Sequence, residues 1–219
     1  MSITLIVTLV LASGGLCMGL VTLAYRLMPA RRIREEQGRK LKGPKVALRI
    51  GVGMVFSTAL IYAFTHLLQK HLFYTGPTPI FRGALEAFGV LALYDLLYYF
   101  LHRYPFHQWG WLKRVHSVHH RARHPIAIDS LFLHPVENLL GLTLLTACTW
   151  IVGPVSVYSF GVCFFVYTWL NIIVHGGVDL PIPYFGLIAR KHDVHHKDMR
   201  GGNFASLTPL PDLLFGTAE

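Results

Sequence analysis

Charge is scarce in this chain. Only 14% of its 219 residues are Asp, Glu, Lys or Arg, against 53% hydrophobic residues and a mean hydropathy of +0.46. That balance excludes an ordinary soluble globule, in which about a quarter of residues are charged. Acidic residues are the scarcest, 11 against 20 basic, for a net charge of +9. No aromatic-interleaved basic surface or reading motif accompanies the excess, so no nucleic-acid partner is expected. Cys17, Cys148 and Cys163 stand far apart in apolar tracts without a CxxC pair, which excludes a disulfide framework or a thiolate metal site. Low-complexity linkers are missing, and the only internal repeat is a short histidine pattern.

Long apolar runs are abundant. Ile3 to Tyr25 carries no charge and exceeds the roughly 20 residues needed to cross a bilayer. No basic segment precedes it and it outruns a signal-peptide core, so it reads as a first span. Val46 to Leu68 and Gly83 to Leu101 give a second and a third. The tract from Leu139 to Val174 is too long for one crossing and contains "GPVS" at 153–156, where a hairpin turn is expected. The first arm of that hairpin is short and would tilt, or dip without crossing. The expectation is an all-α integral membrane fold of about four spanning helices, the last two a helical hairpin, with a histidine-rich metal-binding cap.

Nine basic residues fall between Arg26 and Arg49, five between Arg103 and Arg123, and four between Arg190 and Arg200, leaving Lys70 and Arg82 for the other side. The positive-inside tendency makes the rich face cytoplasmic. "RRIREEQGRKLKGPK" reads as a solvated or headgroup-bound loop, and the net charge is explained by orientation and by anionic lipid headgroups. The compact length and the lack of an ER retrieval signal favour a bacterial inner membrane over the endoplasmic reticulum.

Function is carried by histidine. "HSVHH" at 116–120 returns as "HDVHH" at 192–196, and there are 13 histidines in all. On a helix, positions i, i+3 and i+4 share a face, so His116, His119 and His120 converge, as do His192, His195 and His196. Each box could serve two adjacent metal ions, and imidazole donors favour Fe, Zn, Cu or Ni over Mg or Ca. In "HRYPFH", His102 and His107 would diverge by about 140° on an ideal helix. Pro105 is expected to end the third span near His102 and let the chain turn, bringing His107 back toward the same centre.

The fragments "YDLLYYFLHRYPFH", "HSVHHRARHP", "LFLHPVE", "HDVHHKD" and "NFASLTPLPDLLFGT" resemble the fatty acid hydroxylase and sterol desaturase superfamily, from about Ala84 to Thr217. The resemblance divides the chain into N-terminal helices with a basic loop, 1–82, and a catalytic domain, 83–219. It implies a di-iron centre that uses O2 and two electrons to hydroxylate or desaturate a lipid, with zinc able to replace iron on purification. It also implies that His102, His107, His116, His119, His120, His192, His195 and His196 are ligands. Two ions of five or six coordination need further donors. Asn171 and His175 are i, i+4 at the end of the last span, and related hydroxylases use a histidine in this region. His175 is therefore the expected ninth ligand and Asn171 a candidate tenth. His134 is the rival, as a donor or as a helix-entry residue supporting the ligands.

Asp95, seven residues before His102, is expected on the same helical face two turns deeper, orienting a ligand imidazole. Glu137 and Asp129 are expected either to support ligands or to cap the entry to the hairpin. Glu86, His66 and His71 belong to the far surface without a catalytic role, and His124 to solvent or to the surroundings of the ligands. Trp109, Trp111 and Tyr104 would anchor at the interface or shape a substrate mouth. Substrate would enter laterally from the bilayer. Electrons would come from a separate donor, a ferredoxin or a b-type cytochrome with its NAD(P)H reductase, docked on Lys113, Arg114, Arg121, Lys197 and Arg200. A membrane zinc hydrolase is the alternative, but neither box is an HExxH and only Asp193 is placed to serve as base. A metal carrier is the third reading, and the spans lack the ladder of polar residues that an ion path would need.

Overall fold

The computed structural model describes residues 1–34 and 41–219. Of the basic loop expected after the first span, residues 35–40 lie outside the described residues. Helix α1 (Ile3–Leu27) starts where the Ser2 hydroxyl accepts from Leu5 N, and α2 (Pro44–Leu67) starts with a proline whose missing N–H costs nothing at a first helical position. The short α3 (Gln69–Leu72) leads into strand β1 (Phe73–Tyr74). Helix α4 spans Ile80–Leu101, and α5 (Gly110–His116) begins the cap. Helices α6 (Pro135–Val152) and α7 (Val157–Val174) form the expected hairpin. Its turn holds Gly153 at φ +105°, which a side chain would strain, and the strand β2 (Val155–Ser156). Helices α8 (Pro183–Lys197) and α9 (Leu210–Leu214) complete the cap.

Five of the described helical segments are long and apolar enough to cross a membrane: α1, α2, α4 with its extension to Phe106, α6 and α7. The hairpin's first arm is 18 residues, about 27 Å at 1.5 Å per residue, close to the thickness of a hydrocarbon core. Among the described residues the fold is all-α apart from the parallel pairing of Phe73 with Val155 and Tyr74 with Ser156 and one isolated bridge. Helix α7 packs on α1 and α4, α1 on α2, α2 on α6, and α6 on α4, so the five helices close into a ring. Large apolar side chains such as Leu16, Val55, Phe88 and Ile151 face outward, as lipid contact requires.

Helices α1 and α7 run side by side in the same direction, joined at both ends. At one end the Met1 ammonium donates to Tyr158 Oη; at the other Arg32 pairs with Val178 in an antiparallel bridge. Small residues let them approach closely, since a Cβ on Gly161 would lie 2.7 Å from Ile6 Cγ2 and one on Gly14 would lie 2.8 Å from Thr168 Cγ2. Trp169 Nε1 donates to Ser13 Oγ across the same seam. At the far end Glu86 accepts from Tyr74 Oη and Arg82 Nε with one oxygen, and from Ser156 N and Ser159 Oγ with the other. It staples α4 to the hairpin turn.

The third span does not stop near His102 as expected. The helix continues through Phe106 as one widened π turn that absorbs Pro105, closed by Trp109 N donating to Tyr104 O. Bonding from i to i+5 sets residues five apart over one another, which brings His102 and His107 together with ring centroids 4.9 Å apart. Widening rather than termination performs the turn.

Gly161→Ala is expected to destabilise the protein by about 1–3 kcal/mol, because the added methyl meets the branched Ile6 side chain at its stem. Thermal unfolding in detergent checks this: an unchanged midpoint would mean that the α1–α7 seam can open freely.

Candidate metal centre

Each histidine is delivered by a distinct local device. His102 and His107 bracket the π turn, and His116 ends α5. The first box is not one continuous helix as its spacing suggested: after two turn residues, His119 and His120 lie on a 3-10 turn. His175 caps the C-terminus of α7, and His192, His195 and His196 lie in the last two turns of α8.

The nine side chains gather into two groups. His102, His107, His116, His120 and His195 form one, and His119, His175, His192 and His196 the other; within each, one ligand atom per residue lies within 4.8 Å of all the rest. Each HxxHH box is divided in the same way. Its i and i+4 members enter one group and its i+3 member the other, with the assignment reversed between the boxes.

Proton positions follow from the outer hydrogen bonds. The Nδ1 atoms of His102, His107, His195 and His175 face the carbonyl oxygens of Phe204 (2.7 Å), Met199 (2.7 Å), Gly202 (2.8 Å) and Asn171 (2.6 Å). A carbonyl only accepts, so each Nδ1 carries the proton and each Nε2 presents a bare lone pair. Those lone pairs face one another. Nε2 to Nε2 separations are 3.0 Å for His102–His116 and His116–His120 and 3.1 Å for His120–His195 in the first group. In the second they are 2.9 Å for His119–His175 and His175–His192 and 3.1 Å for His192–His196. His107 Nε2 is buried with no partner among the described residues.

Facing lone pairs repel unless a cation lies between them. Ligand nitrogens roughly 2.1 Å from an ion and at right angles to one another would be about 2.9 Å apart, and in a tetrahedron about 3.4 Å. The observed spacing fits the edges of five- or six-coordinate sets of nitrogen donors, so the residues present fit two ions of the iron or zinc type.

Burial, the largest cause in each case, lowers His107 and His175 to about 4 and His195 to about 3, and lowers His116, His119, His120, His192 and His196 as well. All are neutral at neutral pH, as metal ligation requires.

The remaining candidates are placed differently. Asp95 does not reach an imidazole, which corrects the expectation for it. Its oxygens accept from Leu207 N, Thr208 N and Thr208 Oγ1, because the polypeptide after α8 folds back across α4 and brings unpaired amides to the carboxylate. His134 lies outside both groups and caps α6, its Nδ1 accepting from Val136 N at 3.2 Å. Asn171 gives its carbonyl to His175, and the residue lines the cavity beneath. Glu137 supports a box histidine instead, its Oε1 lying 2.7 Å from His116 Nδ1. Asp193 is buried against Arg34, 2.6 Å away, which leaves no carboxylate of the second box turned to the imidazoles as a base. Tyr104, Trp109 and Trp111 are exposed.

The sequence reading missed the tail that holds the imidazoles. Asn203, left-handed at φ +59°, stands between the two carbonyls that receive His195 and His102. The fully buried Asp212 accepts from Phe204 N, Ala205 N and Thr217 Oγ1 and pairs with Lys191. The available signal was polar residues in an otherwise apolar tail.

Beneath the histidines a cavity of about 160 Å³ descends inside the helical ring. Its roof includes His102, His116, His119 and His175, and its depth is lined by Leu11, Ile61, Tyr94, Leu142 and Phe164.

Five apolar helices bearing this centre at one end define an all-α, multi-pass membrane protein with a histidine-rich site. Its family follows from comparison: residues 87–217 match the fatty acid hydroxylase family, and the chain belongs to it. It is 30% identical over 138 residues to methylsterol monooxygenase 1 of Rattus norvegicus, covering 59% of this chain and 45% of that protein. It is 33% identical over 148 residues to the very-long-chain aldehyde decarbonylase GL1-9 of Oryza sativa subsp. indica, covering 64% and 56%. With sphinganine C4-monooxygenase 1 of Arabidopsis thaliana the identity is 36% over 109 residues, 47% and 41% of the two chains. The chain spans about half the length of the curated relatives it matches. No solved structure matches it.

Metal-free protein is expected to lose stability in acid. Unfolded imidazoles titrate near 6.5 while folded His107 and His175 titrate near 4, so between those values the unfolded state binds more protons. Stability should be level above pH 6.5 and fall as pH drops toward 4. Unfolding midpoints of chelator-treated protein at pH 8, 6.5 and 5 test this, and equal midpoints at pH 8 and 5 would contradict it.

Proposed function

We propose that the chain is a membrane-bound di-iron oxygenase that uses O2 and two electrons to hydroxylate or desaturate a lipid. The observation that carries the reading is the pairing of nine imidazoles, eight buried and His192 half-buried, their lone pairs converging in two groups, with an apolar cavity directly below them. Names of relatives that include methylsterol and sphinganine monooxygenases support it. In this reading His102, His107, His116, His120 and His195 hold one iron, and His119, His175, His192 and His196 hold the other. Bound iron would supply the O2 activation and electron transfer that no side chain here can perform.

The chain's own part is positional. The carbonyls of Met199, Gly202, Phe204 and Asn171 and the Glu137 carboxylate hold the donor imidazoles in orientation. The ring of helices keeps water from the reacting carbon and presents it from the membrane side. Whether the product is an alcohol or an alkene depends on where two substrate carbons rest beneath His102, His116 and His175. In this proposal residues 83–219 form the catalytic domain, with residues 1–82 adding helices and the basic loop. The histidine-bearing face is cytoplasmic, matching the distribution of basic residues, and a bacterial inner membrane is favoured over the endoplasmic reticulum. Lys113, Arg114, Arg121, Lys197 and Arg200 are exposed on that face and suit an acidic ferredoxin or a b-type cytochrome served by an NAD(P)H reductase, as well as anionic headgroups.

Purified protein is expected to hold about two irons per chain, lost in the double variant His119→Ala, His195→Ala together with O2-dependent lipid product. Zinc that persists after anaerobic iron reconstitution, with no lipid oxidised, would replace this reading with a membrane hydrolase or a metal carrier. Reversing Lys113, Lys197 and Arg200 to Glu should slow reduction by the carrier and flatten its salt dependence in a reconstituted assay. Unchanged rates at every ionic strength would remove the docking assignment.

A further inference from the structure

The two histidine groups are supported from different parts of the chain. In the first, the Phe204, Met199 and Gly202 carbonyls and the Glu137 carboxylate face four of the five Nδ1 atoms. Among the described residues the second has one short contact of this kind, the Asn171 carbonyl at 2.6 Å from His175. The Phe132 carbonyl is 3.4 Å from His119, and His196 Nδ1 is buried with no hydrogen-bond partner among the described residues. Residues 31–34, just after α1, stand in for the missing acceptors. They run beside the loop that follows His175, where Ile33 N donates to Gly177 O at 3.1 Å and Asp179 N to Arg31 O at 2.8 Å. The other side of that loop is closely packed, since a Cβ on Gly177 would lie 2.7 Å from Pro125 O. The same segment then reaches α8, where Arg34 Nε and Nη2 lie 2.7 and 2.6 Å from Oδ2 of the buried Asp193. Residues three and four apart on a helix are neighbours, so α8 is gripped on two flanks. Lys191, beside His195 of the first group, pairs with Asp212 of the tail; Asp193, beside His196 of the second, pairs with Arg34.

We propose that Arg34 is a positioning residue of the second histidine group: residues 31–34 clamp the end of α7 to the last turns of α8, and this group's affinity for its ion depends on that clamp while the first group's does not. This rests on the reading of the two groups as metal sites. The clamp lies outside residues 87–217, which match the family. Arg34 acts through Asp193 and the placement of α8. A buried carboxylate deprived of its cation is an uncompensated charge, so the turn bearing His192 and His196 shifts when either partner is lost. His195, on the same helix, keeps the Gly202 carbonyl and the neighbouring Lys191–Asp212 pair.

The test is an anaerobic titration of the chelator-treated full chain in detergent with Co2+, read by its visible absorption, for wild type, Arg34→Ala and Asp193→Asn. His107→Ala and His175→Ala, each lacking one donor of one group, identify the binding step that belongs to each group. Wild type should take up one ion per group. Arg34→Ala and Asp193→Asn should both weaken the step that His175→Ala weakens, by about 10–100-fold, the scale on which supports of ligands act, and leave the other step in place. Charge alone gives a different pattern, because removing a cation tightens the binding of a nearby dication and removing an anion weakens it. Opposite shifts in the two variants, equal weakening of both steps, unchanged affinities, or fewer than two ions in the wild type would overturn the proposal. Should Arg34→Ala not fold, Arg34→Met, which keeps the bulk and removes the charge, takes its place. Metal uptake is read without turnover, so a protein that shows the expected selectivity yet yields no O2-dependent lipid product would refute the oxygenase reading and leave this one standing.

Discussion

A neutral imidazole has one proton and one free lone pair, and the cap is built on where each is sent. Carbonyl oxygens on the outside take the Nδ1 protons of His102, His107, His175 and His195, which turns the lone pairs inward. Without those acceptors the same side chains could adopt the other tautomer or hydrogen-bond to one another, and the two groups would lose their common orientation. The carbonyls in turn need a rigid backbone. The left-handed turn at Asn203 and the buried carboxylates of Asp95 and Asp212, which between them fix the amides of residues 204, 205, 207 and 208, provide it.

The two histidine groups share their chain segments. Each box gives an i, i+4 pair to one group and the intervening i+3 histidine to the other, with roles exchanged between boxes. Neither group can be assembled from one segment, so the two are coupled through the cap. The helical ring below imposes a different constraint. Its seams rely on close approach at Gly14 and Gly161 and on polar pairs such as Trp169 with Ser13, because apolar attraction between helices is weak where lipid competes.

Much of this was legible in the sequence because it rests on local pattern. Apolar length gave the spans, "GPVS" gave the hairpin turn, and the repeated box placed histidines three and four apart. The geometry at Pro105 was legible only in outcome, since a proline can end a helix or widen it and the choice depends on what surrounds the turn. Asp95 was misassigned because helical spacing from His102 tells which face a side chain occupies and not which segment will cover that face. The covering segment lies more than a hundred residues later. The same limit keeps Glu137 and Asp129 open between capping and support when only the sequence is read. Backbone carbonyls, which face the Nδ1 atoms of five of the nine imidazoles, His119 among them at 3.4 Å from Phe132 O, carry no residue code at all.

That the outer acceptors of His102, His107 and His195 come from residues 199–204, locked by Asp212 and Thr217, has a consequence for the order of biosynthesis. All five apolar helices and both boxes leave the ribosome before the segment that sets the tautomers of His102, His107 and His195. Until translation passes Thr217 those three histidines are present but not oriented, so the centre matures only after the membrane-embedded part of the chain has been made.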